Sequence, residues 1–530
     1  ANAAGGANAA PEANASPDDA AAGANAAPSG TRYLEIACNV PVDRRFTYLA
    51  PENRLVPVGT RVIVPFGRRN VTGFVVGHPA KPPAGLREIK PISRVVNDEP
   101  LFDNSYLELA EWVRRMYFAS LGETLAAMIP SGRRESAIPS LAGDEVAPSR
   151  TDLALSDEQW AAIRTIFARA QGLFYVYGIT GSGKTEVFLQ AAERTIAEGR
   201  SVIYLVPEIA LTHQLLDSVS QRFAGRVAVI HSRLTPSQRL TEWQRIRRGE
   251  ARLVVGARSA IFAPVPDLGL VVVDEEHEGS YKSGSSPRYH ARQVAMKRVA
   301  DAGARMIMGS ATPSAEAWHL MREGRLVRIE LTRRLSGGAM PTLEVVDLRS
   351  DEGPLSARLL TALKETHDQG RQSILFLNRR GFSHFFHCRT CGYEMRCKHC
   401  SVGMTYHKER DLMVCHYCGY RVRPVTQCPD CGSFDVGYSG FGTERIEEDL
   451  AARFPEWRIA RIDTDSVRRK GALEEVITSF RDGETDVLLG TQMVAKGLNF
   501  PGVKLVGIIL ADTGLHMPDF RAAERTFSLV

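Results

Sequence analysis

The 530-residue sequence has no run of 18 or more apolar residues, so no membrane-spanning helix is expected from it. It also lacks the basic start and apolar stretch of a secretory signal. The first Lys or Arg is Arg32, and a cytoplasmic chain with no membrane contact is expected. Residues 1–30 hold almost only Ala, Asn, Gly and Pro; without large apolar side chains to offset ordering entropy they read as a disordered tail. A strong overall charge is missing too. The formal net value is +5, which does not by itself mark the chain as a binder of polyanions.

Charge is present, but unevenly placed. Residues 31–95 carry 11 Lys/Arg against 4 Asp/Glu, and residues 379–425 carry 9 against 3. Two basic segments on a mildly acidic background suggest discrete anionic contact surfaces rather than a uniformly basic protein. Ordinary solvated charge is the alternative. With 44% hydrophobic residues and about 150 residues per domain, three or four domains are expected.

From residue 31 to 96, short β-branched runs (YLEIACN, RFTYLA, RVIVPFG, VTGFVVG) separated by Pro and Gly predict a small β-rich domain. Residues 97–150 follow as a helical stretch and a polar linker. Beyond Thr151, apolar strands alternate with amphipathic helices (LFYVYG, SVIYLVP, RLVVGA, LGLVVVD, RMIMGS), the rhythm of a parallel α/β sheet. After a break at 335–341 a second series runs to the last residue: TLEVVDL, SILFLN, RIARID, DVLLGT and LVGIIL. Two tandem α/β lobes, 151–335 and 341–530, are the economical reading, the second interrupted by a cysteine-rich insertion at 386–435.

Gly178-Ile-Thr180-Gly181-Ser182-Gly183-Lys184-Thr185 matches the P-loop pattern, with an apolar strand before it and a helix after it. Glycines let backbone N–H groups curl around phosphate oxygens at a helix N-terminus. Lys184 is expected on the β- and γ-phosphates of ATP, and Thr185 on Mg²⁺. Further on, the strand LGLVVV delivers Asp274-Glu275-Glu276-His277 to the end of a sheet where ligands bind. Asp274 is suited to hold Mg²⁺ and Glu275 to polarise the attacking water.

DEEH resembles the DExH box of superfamily 2 helicases, and other segments follow in that superfamily's order. Leu155 and Gln159 resemble a Q-like motif near adenine, and VPEIALT resembles motif Ia, on the DNA backbone. GSATP (309–313) is similar to motif III, which couples the lobes, and GTQMVAKG (490–497) to motif V.

Eight of nine cysteines form four CxxC pairs: Cys388/Cys391, Cys397/Cys400, Cys415/Cys418 and Cys428/Cys431. Two intervening residues let one turn present both sulfurs to a tetrahedral ion, and Gly392, Gly419 and Gly432 follow three of the pairs. Eight sulfurs complete two sites, and two Zn²⁺ are expected. Disulfides are the competing reading, disfavoured in a reducing compartment. Five histidines (His384, His387, His399, His407, His416) lie within or beside the insertion as surface or DNA-facing residues. Cys38 reads as a small buried strand residue.

A helicase with four such pairs inside its second lobe resembles the PriA-type replication-restart DNA helicases. The likeness runs from about residue 31 to the last, through VPEIALT, DEEHEGSYK with RYHAR, GSATPS, FLNRRGF, GTQMVAKG and DFRAAER. It implies that Cys388, Cys391, Cys428 and Cys431 share one zinc and that Cys397, Cys400, Cys415 and Cys418 share the other. It also implies an ATP-dependent 3′ to 5′ helicase that recognises stalled or repaired forks, D-loops and single-stranded DNA. Its implied partners are primosome proteins, single-stranded DNA-binding protein and a replicative helicase loader. The β-rich domain is implied to capture a DNA 3′ end with Phe46, Thr47, Gly67 and Lys90. Tyr281 and Tyr289 are implied to sense DNA from the loop after DEEH.

The sequence departs from that family in places. Some relatives carry Asp where Thr47 stands, Pro287 replaces an expected tryptophan, and only about fifty residues are left for a winged-helix domain. Motif VI and a C-terminal domain are expected but missing from the sequence. A zinc-containing DNA-binding platform with a vestigial ATPase is the main alternative function, and it predicts damaged ATP motifs. Lys184, Thr185, Asp274 and Glu275 are all intact. A P-loop kinase or transporter ATPase leaves the tandem lobe and GSAT unexplained.

Overall fold

The computed structural model describes residues 33–530 except 53, 84–87, 98, 133–134, 136–153, 208–212, 224, 233, 336–340, 349–350, 352, 378–383, 389, 401, 408–409, 440–442, 463–471, 492–499, 516 and 518. The tail 1–30, most of the linker, motif Ia after Pro207, the FLNRRGF segment after Leu377 and motif V after Thr491 lie outside the described residues.

Five antiparallel strands come first: β1 (Tyr33–Cys38), β2 (Arg45–Leu49), β3 (Arg61–Phe66), β4 (Arg69–Gly77) and β5 (Arg94–Val95), in the order β2-β1-β4-β3-β5. A bridge between Leu49 and Pro91 brings the chain before β5 against β2, so the sheet curls toward a barrel. Strand periodicity serves two cores at once. Leu34, Ile36, Cys38 and Val75 fill the barrel, while Ala37, Phe74 and Val76 face outward into a second core.

Helices α1 (Asn104–Tyr117) and α2 (Leu121–Met128) cover that outer face. The Asp103 carboxylate accepts from Tyr106 N at 2.8 Å to start α1, and Ser120 with Glu123 forms a capping box for α2. The second helix lies directly on β1: a Cβ on Gly122 would sit 1.7 Å from the Cys38 carbonyl oxygen. The same core continues into the next lobe through Trp243, Ile261 and Phe262. Trp243 Nε1 donates to Leu101 O at 3.0 Å, and the Tyr106 hydroxyl donates to Phe262 O at 3.0 Å. The N-terminal sheet, its two helices and the first lobe therefore share one interior.

The first lobe is a seven-stranded parallel sheet. Its strands are β6 (Gly172–Gly178), β7 (Ser201–Leu205), β8 (Val227–Ile230), β9 (Leu253–Gly256), β10 (Leu268–Asp274), β11 (Arg305–Ser310) and β12 (Val327–Leu331). They lie in the order β12-β6-β11-β10-β7-β9-β8. Helices on both faces make the central strands apolar throughout: Leu270 and Val272 enter one core, Val271 and Val273 the other. Helices α3 (Asp157–Phe167) and α4 (Lys184–Ala197) flank β6 in sequence.

The second lobe has four parallel strands, β13 (Gln372–Leu377), β19 (Ile459–Ile462), β20 (Val487–Gly490) and β21 (Val503–Ile509), ordered β19-β20-β13-β21. Between β13 and β19 stands the cysteine-rich insertion. It is an antiparallel sheet of β14 (His384–Cys388), β15 (Thr405–His407), β16 (Leu412–Val414), β17 (Arg421–Val422) and β18 (Val436–Ser439), ordered β17-β16-β15-β14-β18. One expected strand is corrected. TLEVVDL (342–348) alternates as a strand should, yet among the described residues it joins no sheet, and Leu343 and Val345 are exposed. Among the described residues, no helix is long and apolar enough to cross a membrane.

Candidate functional site

The turn between β6 and α4 carries the phosphate-binding pattern in the expected context. Gly181 and Gly183 take φ values of +81° and +78°, a region that side chains with a Cβ avoid. A Cβ on Gly183 would also meet Gln159 Nε2 at 2.3 Å. Lys184 Nζ donates to Gly178 O at 2.8 Å and Ile179 O at 3.3 Å, so the turn closes on its own ammonium group. Burial lowers the Lys184 pKa, while Glu275 and Asp274 act to raise it. Thr180 and Thr185 are exposed at this turn. Ser182 is buried, its hydroxyl without a partner among the described residues.

Gln159, expected beside adenine, is hydrogen-bonded to the phosphate turn. Its side chain is buried, accepting from Ser156 N at 2.8 Å and donating to Gly183 O at 3.2 Å. The amide is therefore spent on the phosphate turn itself. Leu155 packs against the neighbouring core. The chain leaving β12 ties to the same turn: Glu158 accepts from Thr332 N at 2.9 Å, and Leu335 N donates to Gly181 O at 3.0 Å.

At the end of β10, Asp274 accepts from the Tyr204 hydroxyl at 3.1 Å and from Glu275 N at 2.9 Å. Burial, followed by the adjacent Glu275 carboxylate, pushes its carboxyl up to about 7. Glu275 itself sits at φ +45°, a strained backbone of the kind that persists where the surroundings over-determine it. Here Glu276 N donates to Gly309 O at 3.1 Å and Glu278 N to Glu275 O at 2.9 Å. Ser310, on the adjacent strand β11, donates to Glu275 Oε2 at 2.9 Å and lies 2.7 Å from His277 Nδ1. The segments read as DEEH and motif III thus form one hydrogen-bonded unit.

Glu276 has a different job from its neighbours. It is buried, ion-paired to Arg292, and accepts from Ser314 Oγ at 2.7 Å and the Tyr175 hydroxyl at 3.3 Å. Sequence reasoning missed this anchor, and missed Tyr204 and Ser310 as partners of the two carboxylates. A tyrosine inside the apolar run SVIYLV was the available signal, because a buried phenol needs a partner.

Tyr281 and Tyr289 require correction. Tyr281 is fully buried, its hydroxyl donating to Leu205 O at 3.1 Å and Asp274 O at 2.5 Å. Tyr289 is buried with its ring 4.7 Å from that of Phe262. Neither ring has a free face for a base. The exposed side chains of their loop are Ser280, Lys282, Ser285, Ser286 and Arg288.

In the insertion, the structure brings Cys388, Cys391, Cys428 and Cys431 together, and separately Cys397, Cys400, Cys415 and Cys418, with the sulfurs of each set within 4.8 Å of one another. The Cys388–Cys431, Cys391–Cys428 and Cys397–Cys418 sulfur separations are 3.6 Å. That is far beyond a bond of about 2.05 Å, and close to the roughly 3.8 Å edge of a tetrahedron with metal–sulfur bonds of about 2.3 Å. Both sets fit a tetrahedral thiolate-bound ion. His407 and His416 face each other outside them, Nε2 to Nε2 3.3 Å.

On the N-terminal sheet, Phe46 and Thr47 lie on β2, Gly67 in the β3–β4 turn and Lys90 beside Leu49. The Phe46 ring stands edge-on to Phe66 at 5.2 Å and is half-buried, whereas Gly67 and Lys90 are exposed. The four positions lie on adjoining segments.

Comparison with known proteins matches four family models along the chain. They are a PriA 3′ DNA-binding domain (residues 35–130), a DEAD/DEAH box helicase domain (156–320), a PriA DNA helicase Cys-rich region (397–423) and a helicase conserved C-terminal domain (441–521). The chain is 52% identical over 505 residues to the replication restart protein PriA of Treponema pallidum, covering 94% of this chain and 77% of that protein. It is 34% identical to the PriA of Haemophilus influenzae, covering 94% and 79%. To the PriA of Bacillus subtilis it is 45% identical over 73% of this chain and 49% of that one.

Proposed function

The chain belongs to the PriA family of replication restart helicases, and from that premise we propose that it is an ATP-driven motor moving 3′ to 5′ on DNA at stalled or repaired forks. The observation that carries this reading is the placement of Lys184 after β6 and of Asp274 and Glu275 at the end of β10 in one parallel sheet, where the two carboxylates act on the Lys184 ammonium and Ser310 fixes the carboxylate of Glu275. Lys184 exchanges the Gly178 and Ile179 carbonyls for phosphate oxygens. Gln159 holds the Gly183 carbonyl so that the turn keeps its shape. Bound Mg²⁺ neutralises phosphate charge, and Thr185 with Asp274 would hold it. Glu275 orients water and accepts its proton, a role worth about 10²–10⁴ in rate.

Zn²⁺ is the proposed occupant of both cysteine sets, since four thiolates in a tetrahedron suit it. We further propose capture of a DNA 3′ end by Phe46, Thr47, Gly67 and Lys90. Partners follow from the same reading: primosome proteins, single-stranded DNA-binding protein and a helicase loader, in the cytoplasm at the nucleoid.

The test is DNA-stimulated ATP hydrolysis on forks with and without a free leading-strand 3′ end. Lys184→Ala and Glu275→Gln should each abolish stimulation while fork binding persists. Phe46→Ala and Lys90→Ala should weaken binding more on forks that carry the free end. Undiminished turnover in the first pair refutes the motor, and equal losses on both forks refute end capture.

A further inference from the structure

Phe118 ends α1 in the left-handed region, at φ +53° and ψ +46°, with its amide donating to Arg114 O. Glycine or asparagine suits that position, and a bulky side chain there is an outlier. Its ring is 97% exposed. Neither the backbone nor the packing of this helix benefits from a phenyl group here. Single exposed apolar residues are common on protein surfaces, but one that also opposes its own backbone conformation calls for a use outside the fold.

The surroundings identify the chemistry. Arg115, one helical turn back, has a side chain 74% exposed. Tyr117 places its hydroxyl 2.5 Å from Gln293 Oε1 and accepts from His290 N at 3.2 Å, which pins this end of α1 to the loop after DEEH. Lys282 lies 5.2 Å from the Tyr117 ring centre, and Arg288 is exposed on the same loop. The nearby carboxylates are shared among several cations: Glu111 binds Arg45 and Arg114 and lies 3.9 Å from the exposed Arg115, and Asp43 binds Arg114. An exposed aromatic face amid exposed cations suits a ligand that presents flat apolar rings and regular negative charge. Single-stranded nucleic acid has that chemistry.

We propose that Phe118 stacks on a base of single-stranded DNA whose phosphates meet Arg115, Lys282 and Arg288. This rests on the DNA-motor reading and adds a contact separate from the 3′-end residues. It also gives the loop after DEEH a neighbouring aromatic face, which its own buried tyrosines do not provide. The loop leads directly into Arg292, the partner of Glu276, so a strand seated on Phe118 lies against the segment that anchors the hydrolytic carboxylates.

The experiment compares the full chain with Phe118→Gly and Phe118→Trp, using a fluorescent oligothymidine blocked at its 3′ end. Binding is read by anisotropy across salt concentrations, and stability by thermal melting. Glycine should leave the melting temperature equal or higher, because it relieves the left-handed strain, yet weaken binding about fivefold or more. Tryptophan should keep or strengthen binding. The salt dependence should be unchanged in Phe118→Gly and reduced in Arg115→Ala, since only the latter removes a phosphate contact. Phe118→Gly that binds as tightly as the unaltered chain overturns the proposal alone. Failure of the unaltered chain to bind the oligonucleotide overturns the motor reading with it.

Discussion

Asp274, the proposed Mg²⁺ ligand, would link protonation to nucleotide binding. Its carboxyl is raised from an ordinary 3.8 to about 7, first by burial and then by Glu275. A raised acid holds extra protons in the folded state, so its contribution to stability is present at low pH and is lost as pH climbs from about 4 toward 7. Mg²⁺ binding by Asp274 would run the other way, because it needs the ionised form. The increase in melting temperature on adding Mg·ATP should therefore be smaller at pH 6 than at pH 8, and Asp274→Asn should flatten the difference. Equal increases at both pH values in the unaltered chain would show that Asp274 is not the titrating ligand. Such a proposal needs the burial and the partners. The sequence reveals only a carboxylate after an apolar strand.

Among the elements, the cysteine-rich sheet depends most on something besides apolar packing. Its core is a small set, Phe386, Met395, Met404 and Met413 with cysteines among them, and a core of that size rarely holds a fold without a staple. Metal analysis should find two zinc ions per chain. Chelation should remove amide-exchange protection from 386–435 while nucleotide binding, measured with a fluorescent analogue, persists. Cys415→Ser should cost one ion and leave the other. A folded, reduced chain with no zinc refutes the assignment. This element was the most legible in the sequence, since four CxxC spacings fix both ligand type and number. The loop after DEEH was the least legible: its tyrosines look like an exposed aromatic set in sequence, and only packing against Phe262 and Leu205 reveals them as core.

At the scale of the molecule, the N-terminal sheet, α1, α2 and the first lobe behave as one body because they share an interior. Trp243 stands at that junction, buried, with its indole N–H on Leu101 O. Trp243→Ala should cost about 3–5 kcal/mol, and Trp243→Phe about 1 kcal/mol for the lost hydrogen bond. Denaturant melts check both, and limited proteolysis should show the alanine variant cleaved earlier between the helices and the lobe. A cost under about 1 kcal/mol for alanine would mean the two parts are merely apposed. The lobes themselves touch through Arg521, ion-paired to Glu316 at the start of the helix Ala315–Arg322, and through Ala315 N on Glu524 at 3.0 Å. The Arg521 guanidinium holds the Glu316 carboxyl down to about 2.

The sequence by itself determined the chemistry that depends on spacing along the chain. The phosphate turn, the carboxylates at the end of a buried strand, the four thiolate pairs and the alternation of strand and helix are all local patterns, imposed by backbone geometry within a few residues. Tertiary structure alone decided which residues meet across distance. It joined Ser310 to Glu275, spent Gln159 on the phosphate turn, buried Tyr281 and Tyr289, paired Arg521 with Glu316, and merged the N-terminal sheet with the first lobe. Those outcomes depend on which faces pack together, and packing is set by the summed burial of many side chains that no short stretch of sequence contains.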